Sequence, residues 1–122
     1  MLVNLSNHPS DRWPEEQKQK AIELYVEITD IPFPEMDPFG DEQYIERLAD
    51  EYLVKVLEML PAEPNHNAVH IMGELTFCFA LINRLKQHNV RCIASTTARD
   101  VVQESNEKIT KYFKFVQFRE YL

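Results

Sequence analysis

Glycine is nearly absent from this chain: 2 in 122 residues, Gly40 and Gly73. The sequence therefore has no GxGxxG fingerprint and no GxxxxGK[ST] loop, which argues against a dinucleotide cofactor and a P-loop. It has no GxSxG elbow either, so a Ser-His-Asp hydrolase finds little support. With 7 Pro beside the 2 Gly, collagen-like and low-complexity readings fall away. Cysteine is equally scarce. Cys78 and Cys92 both sit in apolar contexts and read as buried free thiols of a reducing cytoplasm rather than as a disulfide. No apolar run approaches the roughly 20 residues of a membrane span. The start, Met1-Leu2-Val3-Asn4, lacks the basic and apolar regions of a signal peptide, so the expected location is cytoplasmic.

Positive charge is scarce too, and unevenly so. The net charge is −7; residues 1–60 carry 5 Lys/Arg against 14 Asp/Glu, whereas residues 61–122 carry 8 against 6. An acidic front half argues against duplex DNA and anionic membranes as partners. It leaves room for a small anion held by backbone donors and one or two Arg. Hydrophobic residues make up 44% of the chain and charged ones 27%, which suits one globular domain over 1–122.

The patterns alternate along the chain. Leu2 to Ser6 reads as a strand, and Pro14 opens a helix that runs to about Leu24. Val26, Ile28 and Ile31 mark a second strand, stopped by Pro32 and Pro34, and the stretch to Gly40 is an acidic loop. From Asp41, Tyr44, Ile45, Leu48, Ala49, Tyr52, Leu53, Val56, Leu57 and Leu60 form one helical stripe. Ala68 to Met72 is a buried strand, Glu74 to about His88 a helix, and Cys92-Ile93-Ala94 a fourth strand closed by Ser95-Thr96-Thr97. Arg99 to Glu104 and Tyr112 to Tyr121 alternate about the Ser105–Lys108 turn as an antiparallel hairpin. Along that hairpin, Phe113, Phe115 and Gln117 are expected on one face, and Tyr112, Lys114, Val116 and Phe118 on the other. Both faces are partly apolar, so one is expected to be covered by a second subunit. Alternation of this kind predicts an α/β chain. The expected fold is a three-layer Rossmann-like sandwich, its sheet mainly parallel with a C-terminal antiparallel β-hairpin.

Ligands of such sheets bind beyond the carboxyl ends of the strands. Hydroxyls are dense there: Ser6, Ser10, Thr76, Ser95, Thr96 and Thr97. Gly73 stands where a strand hands over to a helix, and its missing Cβ would let an anion approach the helix start. Glu74, in the first turn, either caps its own helix or touches a ligand. His8, beside Asn7, suits proton transfer or donation to a phosphate, or else caps the next element. Arg99 suits bidentate phosphate contact, or pairs with Asp100. His70, between Val69 and Ile71, reads as a satisfied packing residue. The four His and two Cys match no zinc spacing, so no metal is expected, and no cofactor is implied.

Three segments together carry a resemblance. Leu5-Ser6-Asn7-His8-Pro9, His70-Ile71-Met72-Gly73-Glu74-Leu75-Thr76-Phe77 and Cys92-Ile93-Ala94-Ser95-Thr96-Thr97-Ala98-Arg99 resemble small accessory proteins of type III CRISPR systems, compact relatives of the CRISPR-associated Rossmann fold. The resemblance implies a homodimer that binds a cyclic oligoadenylate second messenger, and in several members cleaves it as a ring nuclease. Phosphates would then meet Gly73, Thr76 and Ser95-Thr96-Thr97, with Arg99 neutralising charge. His8 would transfer the proton, and Ser6, Asn7, Thr76 and Thr97 would orient the ring. Two alternatives stand beside it. One is a sponge that holds the messenger uncleaved. The other is an interaction subunit docking through the acidic Pro32–Gly40 loop and the acidic face of the second long helix.

Overall fold

The alternation seen in the sequence closes into one sheet in a computed structural model. It describes residues 1–103 and 105–122, and at positions 64, 100, 102 and 111 the backbone alone. In chain order the elements are β1 (Leu2–Ser6), α1 (Glu15–Tyr25), β2 (Ile28–Asp30), α2 (Glu42–Met59), β3 (Ala68–Met72), α3 (Leu75–Gln87), β4 (Cys92–Gln103) and β5 (Ile109–Glu120). The sheet order is β2-β1-β3-β4-β5. The first four strands run parallel and β5 is antiparallel to β4.

The chain steps one way from β1 to β2 and the other way from β2 through β3 to β4. Right-handed crossovers then require α1 on one face of the sheet and α2 and α3 on the other. Burial agrees. Val3, Leu5, Val69 and Ile71 pack with Ala49, Tyr52 and Val56 of α2 and with Phe77, Leu81 and Leu85 of α3. Their neighbours of opposite phase, Leu2, Ala68 and Ile93, pack with Trp13 and with Ala21 and Tyr25 of α1. Side chains alternate across a strand, so these are two cores on opposite faces. Each fully buried side chain of this size stabilises the fold by roughly 1.5–3 kcal/mol.

Local chemistry sets the helix ends. Asp41 accepts a hydrogen bond from the Tyr44 amide at 3.0 Å and caps α2. Beyond α3, Asn89 takes a left-handed φ of 59°, a conformation Asn tolerates. Val26, after α1, is different: its φ is 77° and ψ −49°, and Glu27 N–H donates to the Tyr25 carbonyl at 2.9 Å. That is a γ-turn with a β-branched residue at its centre, a strained arrangement. Val26 is 71% exposed, so its side chain contributes little packing. Val26→Gly is expected to raise stability by about 1 kcal/mol, read as a higher urea midpoint at unchanged slope.

Two expectations are corrected here. The Ser95-Thr96-Thr97 segment does not close the fourth strand. It lies inside β4, a single strand of 12 residues that pairs with β5 throughout. Threonines suit a pleated surface, and β5 supplies their backbone partners. Parallel pairing with β3 stops at Ile93, so the rest of β4 runs on with β5 alone as a two-stranded ribbon. The expected strand end at Glu104 lies outside the described residues, while the turn is held by reciprocal backbone bonds between Ser105 and Lys108. Second, Thr96 pairs with Gln117 but Thr97 with Phe115, so Val116 is an inserted bulge residue. The bulge returns Phe118 to the face of Phe115, their ring centroids 5.0 Å apart, where simple alternation had separated them.

Candidate functional site

Strand order reverses between β1 and β3, the position where such sheets bind ligands. The two strand ends are joined there by Asn7 N–H donating to the Met72 carbonyl at 3.2 Å. On the α1 face, registry aligns Asp30, Asn4 and His70 in one row across β2, β1 and β3. Asn4 and His70 are 1% and 2% exposed, and burying such groups is tolerable only when they are hydrogen-bonded. They are. Asn4 Nδ2 donates to Asp30 Oδ1 at 2.7 Å and to the His8 carbonyl at 2.9 Å. Asn4 Oδ1 lies 2.8 Å from Ser6 Oγ and 2.9 Å from His70 Nδ1. His70 Nε2 meets Ser95 Oγ of β4 at 3.2 Å. At the far end, Ser10 Oγ donates to Asp30 Oδ2 at 2.6 Å. The row therefore runs from the loop after β1 to a hydroxyl on β4.

That hydroxyl opens into a cleft of about 420 Å³, a size suited to a small ligand. It is lined by His70, Met72, Ser95 and Thr97 of β3 and β4, by His8, Arg12 and Trp13 of the segment after β1, and by Phe113 and Phe115 of the ribbon. Trp13 stands edge-on to His70 with centroids 5.0 Å apart. The His8 carbonyl accepts from Trp13 Nε1 at 3.0 Å as well as from Asn4, so the exposed imidazole of His8 is presented from an anchored backbone. Burial lowers His70 to a pKa of about 4, and the charge of His8 pushes the same way. His70 is consequently neutral at physiological pH. The lining combines two imidazoles, a guanidinium, two hydroxyls and flat aromatic walls, which suits an anion attached to a planar base.

The expected residues divide into two groups. Ser6, His8, Ser95 and Thr97 gather on this face, and Asn7 lines an adjoining hollow of about 330 Å³ with Asn4 and Phe33. Thr96 has the opposite phase, its Oγ1 bonded to the Gln117 carbonyl at 3.2 Å. Arg99 stands opposite Phe113 on the ribbon, exposed and outside the cleft lining; its expected partner Asp100 has no described side chain. At Gly73, Glu74 and Thr76 the chain's own groups fill the places expected for an anion. A Cβ on Gly73 would come within 2.3 Å of the Phe33 ring, so the glycine makes room for an aromatic side chain and not for a ligand. Glu74 caps α3, its carboxylate accepting from the Thr76 and Phe77 amides and from Thr76 Oγ1. Desolvation raises the Glu74 pKa, yet the bonds from Thr76 and Phe77 outweigh it and hold the carboxyl below its ordinary value. The amides offered to a phosphate are thus taken by the chain's own carboxylate. Glu74→Ala is expected to lower stability by about 1 kcal/mol in thermal melts, with cleft binding unaltered.

Asn4, His70 and Arg12 were missed as site residues. Asn4 and Ser6 alternate with Val3 and Leu5 just as His70 does with Val69 and Ile71. Polar residues in the same phase of two buried strands have to meet, and that was the available signal. Arg12 follows directly on the first strand-end loop. A hollow of about 700 Å³ opens at the opposite, amino end of the strands, among Asn67, Lys86, Arg91 and Glu120. That end of a parallel sheet is not where ligands bind. Burial pushes the free thiols of Cys78 and Cys92 up to about 11 and about 12, far from reactive thiolates. No helix among the described residues is long and apolar enough to cross a membrane.

The model of the Uncharacterized protein MJ1673 family matches residues 1–119, and the chain belongs to that family. No curated protein and no solved structure matches it.

Proposed function

We propose that this chain binds a cyclic oligoadenylate, cyclic tetra-adenylate foremost, at a homodimer cleft and opens it as a metal-independent ring nuclease, switching off type III CRISPR signalling in the cytoplasm. The fold in this reading is a three-layer Rossmann-like sandwich, supported by the two cores on opposite sheet faces. One observation carries the functional reading: a single cleft at the carboxyl end of β3 is lined by His8, Arg12, Ser95 and Thr97 together with the rings of Trp13, Phe113 and Phe115. Aromatic rings take an adenine face, and the cations and hydroxyls take its phosphate. The CRISPR context rests on the three segments that resemble the accessory proteins.

The reaction draws on groups that the cleft, the ligand and water supply. The ring's 2′-hydroxyl attacks the adjacent phosphorus in line, forming the new O–P bond as the bond to the 5′-oxygen breaks. The 2′ proton leaves to water, His8 protonates the departing 5′-oxygen, and a 2′,3′-cyclic phosphate remains. Arg12 faces the charge that builds on the phosphoryl oxygens. Arg99, further out on the ribbon, meets only a ligand that extends beyond the cleft. Dimerisation is supported by Phe113, a wall of the cleft that is itself 68% exposed, and by Val101, Ile109 and Val116, exposed along the same ribbon.

Sequestration without cleavage is the second reading, favoured by one feature. Both nitrogens of His70 already have protein partners, which leaves His8 as the one cleft imidazole free to move a proton. Incubation with cyclic tri-, tetra- and hexa-adenylate in EDTA separates the readings. Linear products at catalytic ratios support the nuclease. Tight binding with the ring intact after hours at excess protein selects the sponge, and failure to bind any ring removes both.

A further inference from the structure

The hydrogen-bond row does more than bury polar groups, because its directions are fixed. The Asp30 carboxylate and the His8 carbonyl both face one end of the Asn4 amide, so that end is the NH2 and the other is Oδ1. An oxygen turned toward Asp30 would meet a carboxylate and a carbonyl with no proton between them. Asn4 Oδ1 therefore accepts, and His70 Nδ1, 2.9 Å away, must carry the hydrogen. A neutral imidazole with its hydrogen on Nδ1 has a lone pair on Nε2. Ser95 Oγ sits 3.2 Å from that lone pair and 3.2 Å from Met72 Sδ, a second acceptor. The single hydrogen of Ser95 is engaged by one or the other. What Ser95 has left to offer a ligand is its lone pairs.

We propose that Ser95 is a specificity-determining residue, held by His70 as an obligate hydrogen-bond acceptor that reads the 6-amino group of a purine seated in the cleft. The proposal rests on the oligoadenylate reading and names what selects the base. Ser95 lines the cleft together with Trp13 and Phe115, the rings that in this reading take the base. A 6-amino purine donates to the waiting lone pair. A 6-oxo purine presents a second acceptor and leaves both groups unpaired, the kind of mismatch that sites reject strongly.

Calorimetry on cyclic tetra-adenylate, cyclic tetra-inosinate and the 2′-deoxy tetra-adenylate ring tests it, alongside 15N NMR of His70 in the free protein. The adenylate ring is expected to bind roughly tenfold or more tightly than the inosinate ring, and Ser95→Ala to bring the two together. Equal affinities in the wild type, or a preference that survives Ser95→Ala, overturn the proposal. A deoxy ring weakened while the inosinate ring is not assigns the contact to the ribose and overturns it as well. Should no ring bind, the oligoadenylate reading falls by itself and the imidazole still decides. Nδ1–H with a bare Nε2 near pH 7 supports the acceptor assignment; Nε2–H or the imidazolium defeats it.

Discussion

His8→Ala is expected to slow ring opening by roughly 10²–10⁴-fold, the usual contribution of a positioned acid or base, and to weaken ring affinity far less. The separation follows from how His8 is held. Its carbonyl carries the structural contacts, accepting from Asn4 and Trp13, and alanine keeps that carbonyl. Its imidazole is exposed on the cleft wall and is the part that the substitution removes. Single-turnover rates by rapid quench, with affinity from calorimetry on the same variant, check both halves. A variant that cleaves at the parental rate would take His8 out of the reaction, and one that unfolds would show in its circular dichroism.

The second large effect is on stability as a function of pH. His70 has an ordinary value of 6.5 that burial, and then the charge of His8, lowers to about 4 in the folded chain. As pH falls below 6.5 the unfolded chain takes up a proton at this position and the folded chain does not. The unfolded state thus binds more protons across that window, and stability falls as the medium becomes more acid. Between pH 6.5 and about 4 the loss amounts to about 3 kcal/mol, from the width of the window. Above pH 6.5 the group is neutral in both states and contributes no slope. Glu74, held below its ordinary value, adds a further loss at the acid end. Urea denaturation of the parent and of His70→Gln, which cannot titrate, isolates the histidine. The variant's curve is expected to be flatter between pH 4 and 6.5, and parallel curves would contradict a buried neutral imidazole.

The order of elements was legible because each has the period its environment demands: 3–4 spacing from Tyr44 to Leu60 in α2, and near-continuous apolar runs in the parallel strands β1 and β3. What failed was punctuation. Ser95-Thr96-Thr97 looks like a stop because hydroxyl residues cluster in loops, yet a strand paired with β5 accommodates them, and local sequence does not reveal that pairing. The site was half legible. His8, Ser95 and Thr97 come together because the loop after β1 lies beside the stretch of β4 that runs on past the end of β3, and Ser6 stands on the same sheet face in the adjoining hollow. Gly73 pointed to a ligand when its real neighbour is Phe33, 40 residues earlier in the chain, a contact that only the tertiary fold creates. His70 was read as a satisfied packing residue, but its partners Asn4 and Ser95 could not be named, because they lie on two other strands.

The row of Asp30, Asn4 and His70 also carries information about assembly of the sheet. Apolar strands of similar composition can slide past one another with little change in buried area, and a slip of one position inverts every side chain. Here a slipped β1 would press an amide into the aliphatic layer beneath α2 and α3 and leave the imidazole facing hydrocarbon, so only one alignment satisfies all three. The same atoms that lead into the candidate cleft therefore act as an index mark for strand pairing, and a chain with no use for the cleft would still be obliged to keep them.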